Sequence, residues 1–164
     1  RELNANCEHL PGDMRTLRLD RTFDAVLIHD AIVYMTTEFD LRATLETAFV
    51  HTRPGGAAIF APDLVGDHAQ EFTELHERDE GRRSMRALSW CWDPDPTDTT
   101  YVADYAFLLR DGAEVRAVRD RHVAGIFPED TWLALLVSVG WRPERLARPA
   151  PAGYTETIFL ARKP

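Results

Sequence analysis

His29 and Asp30 stand together at the end of the apolar run Ala25–His29, the first place in the chain where residue types suggest chemistry. An imidazole beside a carboxylate can take a proton from an amine or a hydroxyl near neutral pH. The structural alternative is that His29 caps the run and Asp30 caps the turn after it. His122, upstream of Gly125-Ile126-Phe127, divides in the same way between a base facing a ligand pocket and a solvated or structural histidine. Trp90, Trp92, Tyr101 and Tyr105 could line a pocket for an aromatic or sugar ligand, or could be cross-strand packing. Glu74, Glu77, Asp79 and Glu80 read as a solvated face. Cys7 and Cys91 do not make a disulfide framework, and no Cys/His spacing suggests zinc, so no metal is expected.

The elements that must position these side chains are clearest over Phe23–Asp63. Ala25–His29 reads as a strand. Thr37 opens a helix, with Asp40 three residues on as a capping-box partner. Leu41, Leu45, Ala48 and Phe49 then fall on one apolar stripe. Arg53-Pro54-Gly55-Gly56 should stop that helix, because proline removes a donor and glycine admits positive φ. Ala57–Ala61 is a second apolar run. Strand, helix and strand at this spacing form a βαβ unit, with parallel strands and a right-handed crossover.

Around this unit the reading is less regular. Cys7–Leu10 is a strand candidate and Thr16–Thr22 a loop. A helix is expected from Asp67 to about Asp79, with Phe72, Leu75 and His68 on one face and acids on the other, ending at Gly81. Met85–Trp92 precedes the turn cluster Asp93-Pro94-Asp95-Pro96. Thr99–Leu109 places Tyr101, Ala103, Tyr105 and Phe107 on one strand face, and Asp111-Gly112 is a hairpin signal. With Val115 and Ala117 alternating beyond it, Ser84–Val123 reads as a three-stranded antiparallel meander. Pro128 suits the first turn of a helix striped by Trp132, Leu136 and Val139, with Gly140 as its C′ residue. Trp141–Leu146 and Tyr154–Arg162 are strands joined by the Pro-rich Ala147–Gly153.

A chain of 164 residues with 45% hydrophobic content is one domain or most of one, and can bury a core. No apolar run approaches the ~20 residues of a membrane helix, and no signal-peptide pattern stands at the N-terminus. A reducing, cytoplasmic location is the expectation. The net charge of −8, with arginines scattered among acids, argues against a nucleic-acid partner.

Three segments in order, Gly12-Asp13-Met14, Phe23-Asp24-Ala25-Val26 and Arg53-Pro54-Gly55-Gly56, resemble the class I S-adenosylmethionine-dependent methyltransferases. In that family they follow strand 3, open strand 4 and precede strand 5. The resemblance covers Asn4 to about Asp63 well and the C-terminal part more loosely. It implies an α/β, Rossmann-like sheet with an antiparallel pair at its end and S-adenosylmethionine as cofactor. It implies that Asp13 and Met14 contact the adenine, by accepting from the exocyclic amine and by packing a thioether on the ring. It places His29, Asp30 and Tyr34 by the cofactor's methionine part and the acceptor, with His29, Asp30 and His122 as catalytic candidates. For Tyr34 the alternative is core packing. The antiparallel insertion ending at His122–Phe127 is similar to that of small-molecule methyltransferases, among them sugar N,N-dimethyltransferases of antibiotic pathways and glycine N-methyltransferase-like enzymes. There the insertion roofs the acceptor site or builds a dimer interface, so a small-molecule N or O acceptor and a homodimer are implied.

The family's Gly-rich loop after strand 1 and acidic residue after strand 2 have no counterpart, since Gly12 is the one glycine before Gly55. The expectation is therefore the C-terminal two-thirds of a methyltransferase domain over 1–164, with its insertion at 84–123. The alternative is a catalytically incompetent remnant serving as a dimerisation or partner-binding module. A third reading, another doubly wound nucleotide-binding protein, lacks a dinucleotide fingerprint. In the family's sheet order, 3-2-1-4-5-7-6, strands 3 and 4 lie roughly 14 Å apart. Asp13 and His29 should then face one crevice, and Ala25–His29 should not be a bare edge. Upstream residues, a second chain or Cys7–Leu10 should cover it.

Overall fold

Thr37 sets the first helix: its hydroxyl accepts from the Asp40 N–H at 3.1 Å, ending an extended approach and opening α1 (Glu38–His51). The computed structural model describes residues 7–149 and 155–164. Before α1 lies β1 (Phe23–His29), followed by a 3-10 turn at Ala31–Tyr34, and after it β2 (Thr52–Ala61). β1 and β2 pair in parallel, from Ala25 opposite Ala57 to His29 opposite Ala61. The expected stripe is buried: Leu41, Leu45 and Ala48 face the core together with Thr44, and Phe49 packs at its margin.

One correction concerns how α1 ends. The helix stops at His51 and the backbone is extended from Thr52 onward, so Arg53-Pro54-Gly55-Gly56 lies inside β2. Glycine is still required there, for a different reason. Gly55 has φ +75°, and a Cβ on Gly56 would press on the backbone oxygen of Asp24 in β1. Gly55 and Gly56 also pair with Lys163 beyond the last strand.

The sheet is completed by β7 (Arg142–Pro149) and β8 (Thr155–Arg162), antiparallel to each other, with β8 antiparallel to β2. Its order, β1-β2-β8-β7, is the 4-5-7-6 portion of the family's sheet. The Pro-rich connection is shorter than expected because β7 runs on to Pro149; Tyr154, placed in the last strand from sequence, lies outside the described residues. α2 (Glu129–Val139) follows Pro128 and ends at Gly140, which takes the left-handed conformation at φ 110°. α1 and α2 cover one sheet face, where Phe60, Trp132, Leu136, Trp141 and Phe159 form the main core and Trp132 stacks on Phe159. The opposite face carries Leu27, 67% exposed, and Ile59.

The second sheet is antiparallel, in the order β3-β4-β5-β6: β3 (Phe72–Glu80), β4 (Arg83–Trp92), β5 (Thr100–Asp111) and β6 (Glu114–Gly125). It has four strands rather than three, because the helix expected over Asp67–Asp79 is instead β3. Phe72 and Leu75 lie on opposite faces of that strand, and every residue of it is exposed. Backbone pairing with β4 decided its state, together with the two-residue turn Gly81-Arg82, where Gly81 has φ +58°. Gly112-Ala113 turns β5 into β6 where the hairpin was expected.

Two further expectations fail. Cys7–Leu10 is irregular and exposed, not a strand. β1 pairs with β2 alone, so among the described residues it is an edge with no strand on its other side. Cys7–Leu10 cannot cover it, because the chain from Asp13 to Leu19 is strapped along α1 instead. The Thr47 hydroxyl donates to the Arg15 carbonyl, Arg18 donates to Thr47, and the Leu19 N–H donates to Nε2 of buried His51.

Candidate active site

The two sheets meet at the carboxyl end of β1 and β2, the end that faces ligands in open α/β sheets. Gly125, at the end of β6, lies against the Met35 backbone so closely that a Cβ would run into the Met35 carbonyl oxygen. The Thr99 hydroxyl donates to the Thr36 carbonyl, and Gly66 N–H to Phe127. A second apolar cluster of Val33, Ala69, Cys91, Tyr101, Ala103 and Ile126 seals the junction.

Asp30 leaves β1 at φ 50° and ψ −59°, outside the conformations favoured by L residues, while its N–H still donates to the Ala61 carbonyl at 3.1 Å. That bond holds the ends of the parallel strands together. His29 Nδ1 lies 2.9 Å from the Asp30 carboxylate. Asp63, two residues beyond β2, has its pKa pushed up to about 6. The causes are loss of solvent, then the nearby Asp30 carboxylate, whose charge repels the ionised form and which can accept a hydrogen bond from the protonated one; His29 opposes them. Asp63 remains open to water at the junction of the two sheets.

Across this junction stands the inner face of the antiparallel sheet. Tyr101 is buried, and its phenol pKa is raised by that burial and then by the Asp63 charge. Tyr105 is raised by burial, then by Cys91 and Asp63. The Cys91 thiol is pushed up to about 11, chiefly by burial, which makes it unreactive. From β6, His122 joins the Tyr34 hydroxyl through Nδ1 at 2.5 Å and Asp120 through Nε2 at 3.2 Å. Since a carboxylate only accepts, Nε2–H donates to Asp120, and in the neutral ring Nδ1 accepts from Tyr34. The ring edge of His122 also meets Tyr105 at 5.2 Å.

The structure therefore gathers His29, Asp30, Tyr34 and His122 at one junction. Asp13 and Met14 have partners of their own. Asp13 is held by Arg15, which also reaches Asp40 in the first turn of α1, and the guanidinium lowers its carboxyl to about 2. Met14 packs at the margin of the main core. Among the described residues, no hydrogen bond links either one to His29, Asp30 or Tyr34. The expected aromatic lining divides in two. Tyr101 and Tyr105 are on the inner face, while Trp90 and Trp92 stack on the outer face, donating to Glu71 and Asp104. Alternate residues of paired strands point to opposite sides, so the four could not share one pocket.

Asp63 and Asp120 were missed. The rule that selected His29 and Asp30, position at the carboxyl end of a parallel strand, applies equally to Asp63 just past Ala61. Nothing in the local sequence marks Asp120. Among the described residues no three His, Cys, Asp or Glu side chains converge as metal ligands, and no helix is long and apolar enough to cross a membrane.

No family model matches the chain, and no curated protein matches it in sequence. Solved structures do match in fold. DesVI of Streptomyces venezuelae is 24% identical, with a TM-score of 0.82 over 93% of this chain and 64% of that one. CalS10, an amino pentose methyltransferase of calicheamicin biosynthesis from Micromonospora echinaspora, solved with S-adenosylmethionine bound, is 21% identical, with a TM-score of 0.79 over 93% of this chain and 63% of that one. The sugar N-methyltransferase KedS8 from a Streptoalloteichus species is 21% identical, with a TM-score of 0.79 over 93% of this chain and 60% of that one. The fold is thus that of S-adenosylmethionine-dependent methyltransferases. Within that fold it is similar to sugar N-methyltransferases, and the chain spans less than two thirds of the length of each of these proteins.

Proposed function

We propose that this chain is the larger part of a class I methyltransferase that transfers a methyl group from S-adenosylmethionine to an N or O atom of a small molecule. The observation that carries the reading is the junction of the two sheets. A fold match over 93% of the chain coincides with His29, Asp30, Tyr34 and His122 gathered where that fold's parallel strands end.

The residues present fit part of the cofactor. The half-buried thioether of Met14 and the ionised, exposed carboxylate of Asp13 suit an adenine ring and its amine. Asp30 and His29 would face the methionine part, and their acidic surroundings suit a cationic group. Bound there, S-adenosylmethionine would supply a methyl group already activated on a sulfonium. The chain's own task is then orientation and exclusion of water. His122, backed by Asp120, would take a proton at Nδ1 from the Tyr34 hydroxyl, which in turn would accept the acceptor's proton.

In this reading upstream strands pair with the open edge of β1, and the exposed Leu27 and Ile59 become covered. A homodimer and a cytoplasmic location belong to the same proposal. Titration of S-adenosylhomocysteine into this chain, and into a version extended upstream, tests it. Binding by the extended form alone is expected. Binding by neither would leave an incompetent remnant that serves as a partner-binding module.

A further inference from the structure

The strap Asp13–Leu19 is neither strand nor helix. Its own backbone bonds are those of one turn, in which Thr16 and Leu17 donate to the Asp13 carbonyl. α1 decides where it lies. Asp40, Thr47 and His51 are seven and then four positions apart, a polar stripe beside the apolar one. Each holds the strap at a different height on the helix. Asp40 accepts from Arg15 at 2.9 Å in the first turn. Thr47 donates to the Arg15 carbonyl at 2.9 Å and accepts from Arg18 at 2.8 Å. His51, in the last turn, accepts from the Leu19 N–H at 2.9 Å.

The His51 bond differs from the others. The residue is only 7% exposed, and its second ring nitrogen, Nδ1, lies 2.7 Å from the Thr47 carbonyl oxygen. A carbonyl only accepts and an amide N–H only donates, so both roles are fixed. Nδ1–H donates to Thr47, and the bare Nε2 accepts from Leu19. The ring is therefore neutral in this arrangement. A second proton would set one N–H against another and remove the bond to Leu19. Among the residue types that hold the strap, histidine alone changes charge between about pH 5 and 8. The charged groups around the ring are Arg18, which shares Thr47 with it, and Asp20 beside Leu19. Lys163 donates to the carbonyls of Phe49 and Thr52 on either side of it, and Arg53 pairs with Asp24 near the starts of β2 and β1. Among the described residues no carboxylate pairs with His51.

We propose that neutral His51 is the positioning residue for Asp13 and Met14: it pins their strap to the end of α1, and protonation of the ring withdraws the pin. The inference rests on the methyl-transfer reading, in which those two residues face the cofactor's adenine. Met14 packs at the margin of the main core from the turn that the strap carries, so a looser strap shifts its thioether. Thr47 and Asp40 still hold the strap when His51 lets go, so the effect is a loosening rather than unfolding. Cofactor affinity then falls as pH drops, through a side chain that does not touch the cofactor. Asp13 is not the source of that fall, because Arg15 lowers its carboxyl to about 2.

The test uses whichever form of the protein binds S-adenosylhomocysteine, as wild type, H51Q and H51L. Glutamine brings an amide oxygen to where Nε2 lies and accepts from Leu19 at every pH; leucine accepts at none. By calorimetry at about pH 8, wild type and H51Q should bind S-adenosylhomocysteine alike, and H51L about threefold to tenfold more weakly, the size expected for one hydrogen bond. Between about pH 8 and 5 the wild type should lose a similar factor relative to H51Q. Asp63 titrates in both proteins and cancels in that ratio. Nitrogen NMR at the upper end of the range should show His51 as the Nδ1–H tautomer. Exchange of the Leu19 amide should quicken toward the lower end in the wild type beyond its change in H51Q. A constant affinity ratio across the range overturns the inference. So does the Nε2–H tautomer, or an H51L variant that binds as tightly as wild type while its Leu19 amide exchanges faster. If H51L does not fold, the ratio of wild type to H51Q and the tautomer decide. In those cases the methyl-transfer reading survives; failure of every form to bind S-adenosylhomocysteine removes both.

Discussion

The two sheets of this chain are held by different forces. The parallel-strand sheet lies under α1 and α2, and its order comes from burial: Leu45, Phe60, Leu136 and Phe159 are fully inaccessible. The antiparallel sheet has no helix on either face over most of its length. Its outer face leaves Leu75 at 75% and Leu108 at 54% exposure, and its order comes from continuous ladders closed by two tight turns. Only its root is buried, where Tyr101, Ala103 and Cys91 meet the end of the first sheet. A rigid, buried half thus presents strand ends, and a lightly buried half supplies the opposite wall. The candidate site occupies the seam, as expected for a scaffold that keeps stability and recognition on separate elements.

The sharpest way to break this contrast is Leu45→Ala. Removing a fully buried side chain from α1 should cost about 2–5 kcal/mol in denaturant unfolding. If the antiparallel sheet keeps its own signal after the first sheet melts, the halves are separate folding units; a single transition would make them one. Gly125→Ala attacks the seam. The added methyl meets the Met35 carbonyl oxygen, so a loss of roughly 1–3 kcal/mol is expected, with displaced NMR resonances at Tyr34 and His122.

Asp63→Asn sharpens the contrast through pH. The ordinary value of 3.8 is raised to about 6 in the folded chain. Between those values the folded state binds more protons than the unfolded one, so Asp63 makes stability fall as pH rises through that window. The variant should therefore melt at a higher temperature than wild type at pH 7, with the difference vanishing near pH 4. A lower melting temperature at pH 7 would contradict the cause assigned to the shift. The smallest effect belongs to Leu75→Ala on the outer face of β3, within about 0.5 kcal/mol. A larger loss, with a change in sedimentation, would mean that a second chain covers this face.

Much of the first sheet, and one turn of the second, was determined by sequence alone. The Thr37 cap, the Leu41–Leu45–Ala48 stripe, the Gly140 stop and the Asp111-Gly112 reversal are local matters, set by hydrogen-bonding side chains, helical periodicity and the conformational freedom of glycine. His29 and Asp30 were legible for the same reason, because an apolar strand ends where they stand. Tertiary structure decided the rest. Phe72–Glu80 carries spacing compatible with a helix, and only the ladder to β4, invisible in a local window, made it a strand. That change of state also moved the acids of this segment from a helix face to a strand. The separation of Trp90 and Trp92 from Tyr101 and Tyr105 followed from register, which fixes the face of every residue in a paired strand at once. The Tyr34–His122 bond spans 88 positions, and the Thr99–Thr36 bond joins the root of one sheet to the turn after the first strand of the other. No periodicity encodes such contacts, because they exist only once two separately ordered sheets have packed.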